Sequence, residues 1–548
     1  MSEILLAPMA AVWLIGAWLR IYRQARYYQI EEYLSRRYLR WVLGERSRSL
    51  PARPIAAWIL GLAIGSLLAE APDSIVPQIV AIFAALVAVF PPRQRETKQA
   101  FAATARMKRL LAGAWLASVL GFAAAFAGFD TIPLGEIDFL LVFAFSAIGL
   151  IHFLAAPLWL VAGNWILQPV ESALRRRYLR SAADTLDQIK PKIIGITGSY
   201  GKTTTKTFLR DILSVRFSAY ATPKSYNTLM GISLAINRDL ADDYRSEYFI
   251  CEMGAYVEGE IDQICQLTPP DIAIVTEVGP QHLERFGSLD NIRRAKYEIV
   301  KNTPADGVAV LNWDNPYVRA MTEAGHPKTI LTVSRELTEE GAQGQGITWI
   351  ASDVKATLGG LSFTAAHTSS GERAHISTKV VGEHNVTNLL LCIAVAYHEG
   401  IPLRDIAGRI RSLQPAESRL VVKQTASGIT IINDAYSANP KGVVSALNVL
   451  GLHQKGARLL ITPGMIELGD LQEAENQKLG LLAAQHATDI ILVGKSQTQP
   501  IVDAIESTSF DRSRLRVVET LQESVDWYQH NLKAGDTVLF LNDLPDTY

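Results

Sequence analysis

Residues 195–206, GITGSYGKTTTK, have the types and spacing of a loop that holds a phosphate chain. Gly198 and Gly201 free the backbone to turn its N–H groups toward anionic oxygens. Lys202 brings a point charge to the outer phosphates, and the Thr203 hydroxyl is an oxygen ligand of the kind Mg2+ takes. The fit to G-x-x-x-x-G-K-[ST] is imperfect, because Ile196 stands where the first glycine belongs. The apolar, β-branched run KIIGIT precedes the loop, and TTTKTFLRDIL follows it with helical periodicity. Strand, loop and helix thus come in the order a nucleotide site needs. The candidate cofactor-binding positions here are Thr197, Gly198, Ser199, Gly201, Lys202, Thr203 and Thr204.

Two more groups close apolar strands. YFICE ends on Glu252, and DIAIVT runs into a loop that carries His282. Such groups at the C-terminal ends of parallel strands lie where α/β sheets bind ligands, so with Lys202 they form a candidate ATP–Mg2+ constellation. Residues 222–232, TPKSYNTLMGI, read as a polar loop opening a helix. Cys251, Cys265 and Cys392 are not spaced as metal ligands and are expected to be reduced core thiols.

The elements that must hold these groups fall into contrasting parts. A chain of 548 residues exceeds a single core and is expected to form several domains. Its net charge of -1 hides an asymmetry: residues 1–190 carry 20 Lys+Arg against 13 Asp+Glu, and the rest 33 against 41. The basic excess is mostly Arg beside apolar runs, which suits membrane lipid and argues against nucleic acid. Apolar runs occupy residues 4–19, 55–69, 75–90, 110–128 and 139–167. A bilayer span needs about 20 residues, and the second and third runs are short. No basic segment precedes the first run and no small-residue cleavage site follows it, so a cleaved signal peptide is not expected. Nine arginines from Arg20 to Arg53, and six basic residues from Arg93 to Arg109, mark two cytoplasmic loops; EAPDS and GFDTIPLGEID carry none. With Arg175, Arg176, Arg177 and Arg180 also inside, parity puts the N-terminus outside and gives about five spans over residues 1–180. Residues 139–167 then cross once, with a tilt or a kink at Pro157. The expected location is the inner, cytoplasmic membrane, multi-pass, with the remainder facing the cytoplasm.

The remainder reads as α/β. Residues 187–413 are expected to form a P-loop domain on a parallel sheet, with an antiparallel addition over 345–382. LQPAES is the expected linker, and residues 416–548 a Rossmann-like domain with strands at ITIIND, ARLLITP, DIILVG and DTVLFLN.

TGSYGKTTTK, EMGA, HLERFGS, RAKYEI, GEHNVTNLL, INDAYSANP and TPGMIELGD, in this order, resemble the Mur ligases over residues 185–548. Within that family the likeness is to the branch that adds D-alanyl-D-alanine to UDP-N-acetylmuramoyl-tripeptide. The resemblance implies an ATP-dependent ligase of peptidoglycan precursor synthesis. An acceptor carboxylate becomes an acyl phosphate, and the amine of an amino acid or dipeptide, D-alanyl-D-alanine expected, displaces the phosphate. It implies Lys202, Glu252, His282 and Lys296 as catalytic, and Thr203, Glu252, His282 and Lys296 as the groups around two Mg2+ ions. Lys296 is then a carbamate formed with CO2, an oxygen ligand in place of an ammonium. Asn385, Asn388, Arg419, Asp434 and Asn439 correspond to ATP-contacting positions, and Asn227 and Thr228 to positions near the acceptor. Ordinary members begin with a soluble UDP-binding domain; here the apolar third stands in its place, so the acceptor is open between UDP-linked and lipid-linked. A polyglutamate-type ligase is the alternative within ligases. An ATP-driven membrane transporter is the alternative outside them, although no LSGGQ-like stretch follows the phosphate loop. An inactive scaffold is opposed by the intact Lys202, Glu252, His282 and Lys296.

Overall fold

The computed structural model describes residues 3–31, 33–68, 75–92, 101–129, 139–223, 226–415, 419–435 and 439–541. The chain divides into two compact units, one built on residues up to Arg177 and one on Tyr178–Leu544.

The first unit is helical: α1 (Glu3–Ile30), α2 (Ser35–Leu43), α3 (Arg46–Ser49), α4 (Ala52–Leu68), α5 (Val76–Val89), α6 (Ala105–Phe129), α7 (Phe139–Leu154) and the start of α8 (Ala156–Ile189). Every apolar run falls in a helix, but the dimensions are not those of five full spans. Among the described residues, Ala105–Ala127 alone is by itself long and apolar enough to cross a bilayer. Helices α4 and α5 have 17 and 14 residues. At about 1.5 Å per residue they reach about 26 and 21 Å, short of a ~30 Å hydrocarbon core. Residues 139–167, expected as one crossing, are two helices bent by 58°. The reason is local: Pro157 sits in the first turn of α8, where it lacks the N–H that would continue α7. Carbonyls freed at the break are met from elsewhere in the unit. The Arg20 guanidinium donates to Phe153 O at 3.4 Å, and Trp159 Nε1 donates to His152 O at 3.1 Å. EAPDS, most of GFDTIPLGEID, and Arg93, Arg95 and Lys98 lie outside the described residues.

In the second unit, β1 (Lys192–Thr197), β2 (Ala219–Ala221), β3 (Tyr248–Glu252), β4 (Ile272–Val275), β5 (Val308–Asn312), β6 (Thr329–Ser334), β7 (Trp349–Thr357), β8 (Gly360–His367) and β9 (Arg373–Thr378) form one sheet. Its order is β2-β3-β1-β4-β5-β6-β7-β8-β9. Pairing is parallel as far as β7, and β7, β8 and β9 pair antiparallel. The central strands are buried on both faces, which explains their unbroken apolar runs. Helices α9 (Lys202–Leu213), α16 (His384–His398) and α17 (Leu403–Ile410) pack on one face; α10 (Leu229–Arg238), α11 (Glu260–Leu267) and α13 (Leu289–Lys301) pack on the other. Short helices α12 (Leu283–Phe286), α14 (Pro316–Arg319) and α15 (Glu339–Gly344) fill loops between strands.

A second sheet follows: β10 (Val421–Gln424), β11 (Thr430–Asp434), β12 (Arg458–Thr462), β13 (Asp489–Val493), β14 (Leu515–Val518) and β15 (Thr537–Leu541), in the order β10-β11-β15-β12-β13-β14. Helices α18 (Pro440–Gly451), α19 (Gln472–His486), α20 (Lys495–Glu506) and α21 (Leu521–Asn531) accompany it. The four strands expected from sequence are β11, β12, β13 and β15. The edge strands β10 and β14 are additional.

Candidate functional site

Strand β1 ends at the loop that opens α9. Gly198 and Gly201 have φ of 146° and 82°. A Cβ on Gly201 would lie 2.5 Å from Asn388 Oδ1, and one on Gly198 2.1 Å from Thr276 Oγ1. Both positions therefore require glycine for backbone and for space. Thr197 Oγ1 donates to Met253 O at 2.8 Å. Ser199 Oγ donates to Gly279 O and accepts from Gly279 N, both at 3.0 Å, which pins the loop to the end of β4. Thr204 is buried in the first turn of α9. The Lys202 amine folds over the loop and donates to Gly198 O at 2.6 Å and Ser199 O at 3.2 Å. Burial pulls its pKa down to about 8; Glu252 opposes the fall and Arg419 adds to it. A phosphate chain would give this desolvated cation a better partner than two carbonyls.

Glu252 closes β3 beside the same helix. Its carboxylate pairs with Lys206 Nζ at 2.9 Å, accepts from Thr203 Oγ1 at 3.1 Å and accepts from Asn227 Nδ2 at 3.3 Å. The Glu252 and Lys206 side chains are only 2% and 4% exposed. Burial disfavours the charged carboxylate, but Lys206 and Lys202 outweigh it and hold the group below its ordinary pKa. Lys206 has no role in the sequence reading. The available signal was its spacing, four residues after Lys202 on one helical face. Thr228 accepts from Gly231 N at 3.2 Å as the N-cap of α10.

His282 precedes α12 with a left-handed backbone, φ 56°, and places Nδ1 2.5 Å from Glu467 Oε2. Glu467 lies after β12 in the second sheet and is itself left-handed, φ 61°. For a side chain other than glycine that conformation costs about 1–2 kcal/mol. Burial lowers the imidazole pKa, Glu467 opposes, and the charges of Lys202 and Arg285 add to the fall. Glu467 too was quoted in a motif without a role; nothing local to it points to a residue 185 positions away. Lys296, on α13, is 3% exposed, with Nζ 5.8 Å from the centre of the Phe286 ring. No hydrogen-bond acceptor meets that amine among the described residues. Burial pulls its pKa to about 7, Lys202 adds to the fall, and Glu260 and Glu298 oppose. The Lys202 charge thus acts on Glu252, His282 and Lys296 alike. Among the described residues no three His, Cys, Asp or Glu side chains converge as a metal cluster.

The remaining candidates divide. Arg419 stands near enough to lower the pKa values of Lys202, His384 and Asp434. Asp434 Oδ1 accepts from Leu420 N at 3.1 Å, and burial raises its carboxyl to about 6 against the pull of Arg419. Asn385 and Asn388 are buried beneath the phosphate loop. Asn388 Nδ2 donates to Asn385 Oδ1 at 3.0 Å, Asn385 Nδ2 donates to Val381 O at 2.8 Å, and Thr205 Oγ1 donates to Asn388 Oδ1 at 3.3 Å. Asn439 caps α18, accepting from Gly442 N at 2.8 Å. Tyr436, Ser437 and Ala438 of the same motif lie outside the described residues.

With this geometry in hand, comparison with known proteins is specific. Residues 196–396 match the Mur ligase middle domain, and residues 418–542 match the Mur ligase, glutamate ligase domain. The UDP-N-acetylmuramoyl-tripeptide–D-alanyl-D-alanine ligase of Bacillus subtilis is 29% identical over 357 residues, covering 65% of this chain and 74% of that one. Its Escherichia coli counterpart is 30% identical over 316 residues, covering 57% of this chain and 67% of that one. Coverage of the mycobacterial counterparts is lower, 59–61% of their length. A crystal structure of MurF from Acinetobacter baumannii superposes with a TM-score of 0.57 and 28% identity, over 67% of this chain and 77% of that one. The glycine-bearing loop after β1 and the two sheets fall within matches to a known set of enzymes: the chain belongs to the Mur ligase family of ATP-dependent, ADP-forming ligases.

Proposed function

We propose that this chain joins the carboxylate of a peptide-bearing acceptor to D-alanyl-D-alanine, in assembly of a peptidoglycan precursor. The observation that carries the reading is the glycine-shaped loop that opens α9, with Glu252 accepting from Thr203 Oγ1 at 3.1 Å beside it, in a chain whose curated relatives are named for this ligation. An acceptor carboxylate oxygen attacks the γ-phosphorus, and the bond to the β–γ bridging oxygen breaks to release ADP. The incoming amine attacks the acyl carbon, loses a proton, and phosphate leaves with the electrons of the C–O bond. The Lys202 amine exchanges Gly198 O and Ser199 O for the outer phosphates and neutralises charge that develops there.

The chain's residues fit the implied Mg2+. Thr203 and Glu252 offer a hydroxyl and a carboxylate 3.1 Å apart at the start of α9. Mg2+ takes few protein oxygens beside substrate phosphates, so a larger acidic cluster is not required. When bound, the metal supplies charge neutralisation on the phosphates. The buried Lys296 amine, without an acceptor among the described residues and with a pKa near 7, is suited to add to CO2 with loss of a proton. As a carbamate it would offer oxygens for a second cation.

The first unit is proposed to sit in the bilayer and to bring a membrane-linked acceptor. Leu67, Phe83 and Trp165 are 78%, 68% and 74% exposed on its surface, which supports a lipid-facing belt. Many of its arginines are already engaged: Arg23 donates to Pro92 O at 3.0 Å, Arg48 lies 4.5 Å from the centre of the Trp41 ring, and Arg109 pairs with Glu171 at 2.6 Å. The full chain with ATP, D-alanyl-D-alanine and either a UDP-linked or a polyprenyl-linked peptide acceptor tests the reading by product mass. An amide product and ADP, favoured by the lipid-linked acceptor, are expected. Equal ADP release with no acceptor and no amide product overturns the ligation. A product made only from the UDP-linked acceptor overturns the membrane-linked one.

A further inference from the structure

The segment between β12 and α19 reaches from the second sheet to the loop that follows β4 in the first. On it, Glu467 Oε2 lies 2.5 Å from His282 Nδ1, and both backbones are left-handed, with φ of 61° and 56°. Two residues on, Gly469 lies against α12: a Cβ there would be 3.6 Å from Glu284 N. The other end of the same loop is held by Lys441 Nζ on α18, 2.5 Å from Glu277 Oε1. The His282 and Glu467 side chains are 26% and 29% exposed, so the contact does not fill a core. Two unfavourable backbone conformations meeting in one short polar contact between sheets mark a contact kept for geometry.

We propose that Glu467 is a positioning residue: its carboxylate accepts the Nδ1–H bond of His282, fixes that tautomer, and leaves Nε2 as the lone-pair donor for a divalent cation. The inference rests on the reading of His282 as a metal ligand. A carboxylate on the far ring nitrogen is how metal-ligating histidines are commonly oriented. Here the carboxylate comes from the second sheet and the histidine from the first, so docking of the sheets and readiness of the ligand become one event.

The test uses the full chain carrying 15N-histidine, with Mn2+ plus ADP as the metal probe. The native His282 ring, assigned by its absence in H282A, is expected to show the Nδ1-protonated tautomer. E467A should mix the tautomers and weaken Mn2+ binding by about 10- to 100-fold. E467Q, whose amide oxygen can still accept the bond, should retain most of both properties. A native ring protonated on Nε2 overturns the role without any variant. So does an E467A chain that loses only its unfolding midpoint while the tautomer stays fixed, or one that binds Mn2+ within twofold of native while H282A does not. Mn2+ binding unchanged in H282A overturns the ligand reading, and this inference with it.

Discussion

Lys206 and Glu252 form a buried ion pair, so removing one partner and removing both have different consequences. Lys206→Met leaves a carboxylate with 2% exposure facing an apolar chain, and should cost about 3–5 kcal/mol of stability. Replacing both, Lys206→Met with Glu252→Leu, should recover most of that loss while abolishing ligation. Urea unfolding of the two variants checks it; equal losses in both would show that the pair's charges are not the issue. Lys296 is a cation with the opposite problem, since burial takes its pKa from 10.5 to about 7. Between those values the unfolded chain holds a proton on this amine and the folded chain does not, so stability from this residue rises with pH across that window. Below pH 7 the penalty for burying the charged amine is complete, and above 10.5 it vanishes. Lys296→Met should therefore exceed the native chain at pH 6 by up to about 5 kcal/mol, with the gap closing as pH rises. Thermal unfolding midpoints across pH measure this, and a pH-independent gap would contradict it. The same neutral amine should take up 13C-bicarbonate more readily as pH climbs through 7.

In the loop between β1 and α9, the proposed nucleotide site, one glycine separates an open backbone from a blocked one. Gly201→Ala brings a Cβ to 2.5 Å from Asn388 Oδ1 at φ 82°. Asn388 is itself held by Asn385 and Thr205 and has little room to give. The variant should raise the KM for ATP by at least about tenfold, the order expected when a shifted backbone loses 1.4 kcal/mol of phosphate contact, and ADP titration should show the same loss. This element was legible in the sequence because its signals are local: KIIGIT changes to a helical period across two glycines within a dozen residues. The antiparallel strands β7, β8 and β9 were legible for the same reason, through alternation and turn residues. VVKQ and LRVV were not, because each is a short edge strand with no fully buried side chain to set a pattern. The break between α7 and α8 was only half legible: Pro157 marks the place, but the Arg20 donor that meets Phe153 O at the 58° bend comes from 133 residues away. The contacts Lys206–Glu252 and His282–Glu467 depend on strand order, which periodicity does not encode.

At the scale of the whole molecule the two units differ in what they present to their surroundings. The second buries most of its apolar side chains in sheet-centred cores. The first leaves Ile59, Leu60, Leu67, Phe83, Leu86, Leu120 and Trp165 exposed on its helices. Full burial of such a side chain contributes about 1.5–3 kcal/mol, part of which each of these forgoes in water and would regain in the proposed bilayer. With the first unit in the bilayer, as proposed, the short helices α4 and α5 form either two crossings or one hairpin that returns to its own side. In the proposed membrane arrangement both keep the same parity, because each returns the chain to the face it left. Native Cys251, Cys265 and Cys392 are all buried, which makes introduced thiols readable. Ser181→Cys, on the exposed C-terminal part of α8, should stay unlabelled by an impermeant maleimide in sealed right-side-out vesicles and react once they are opened. Ile75→Cys, just before α5, should react from outside if α4 and α5 cross and only after opening if they form a hairpin. Labelling of Ser181→Cys in intact vesicles would put the ligase unit on the wrong side of the membrane from ATP, and release of the full chain by alkaline carbonate would remove it from the membrane altogether.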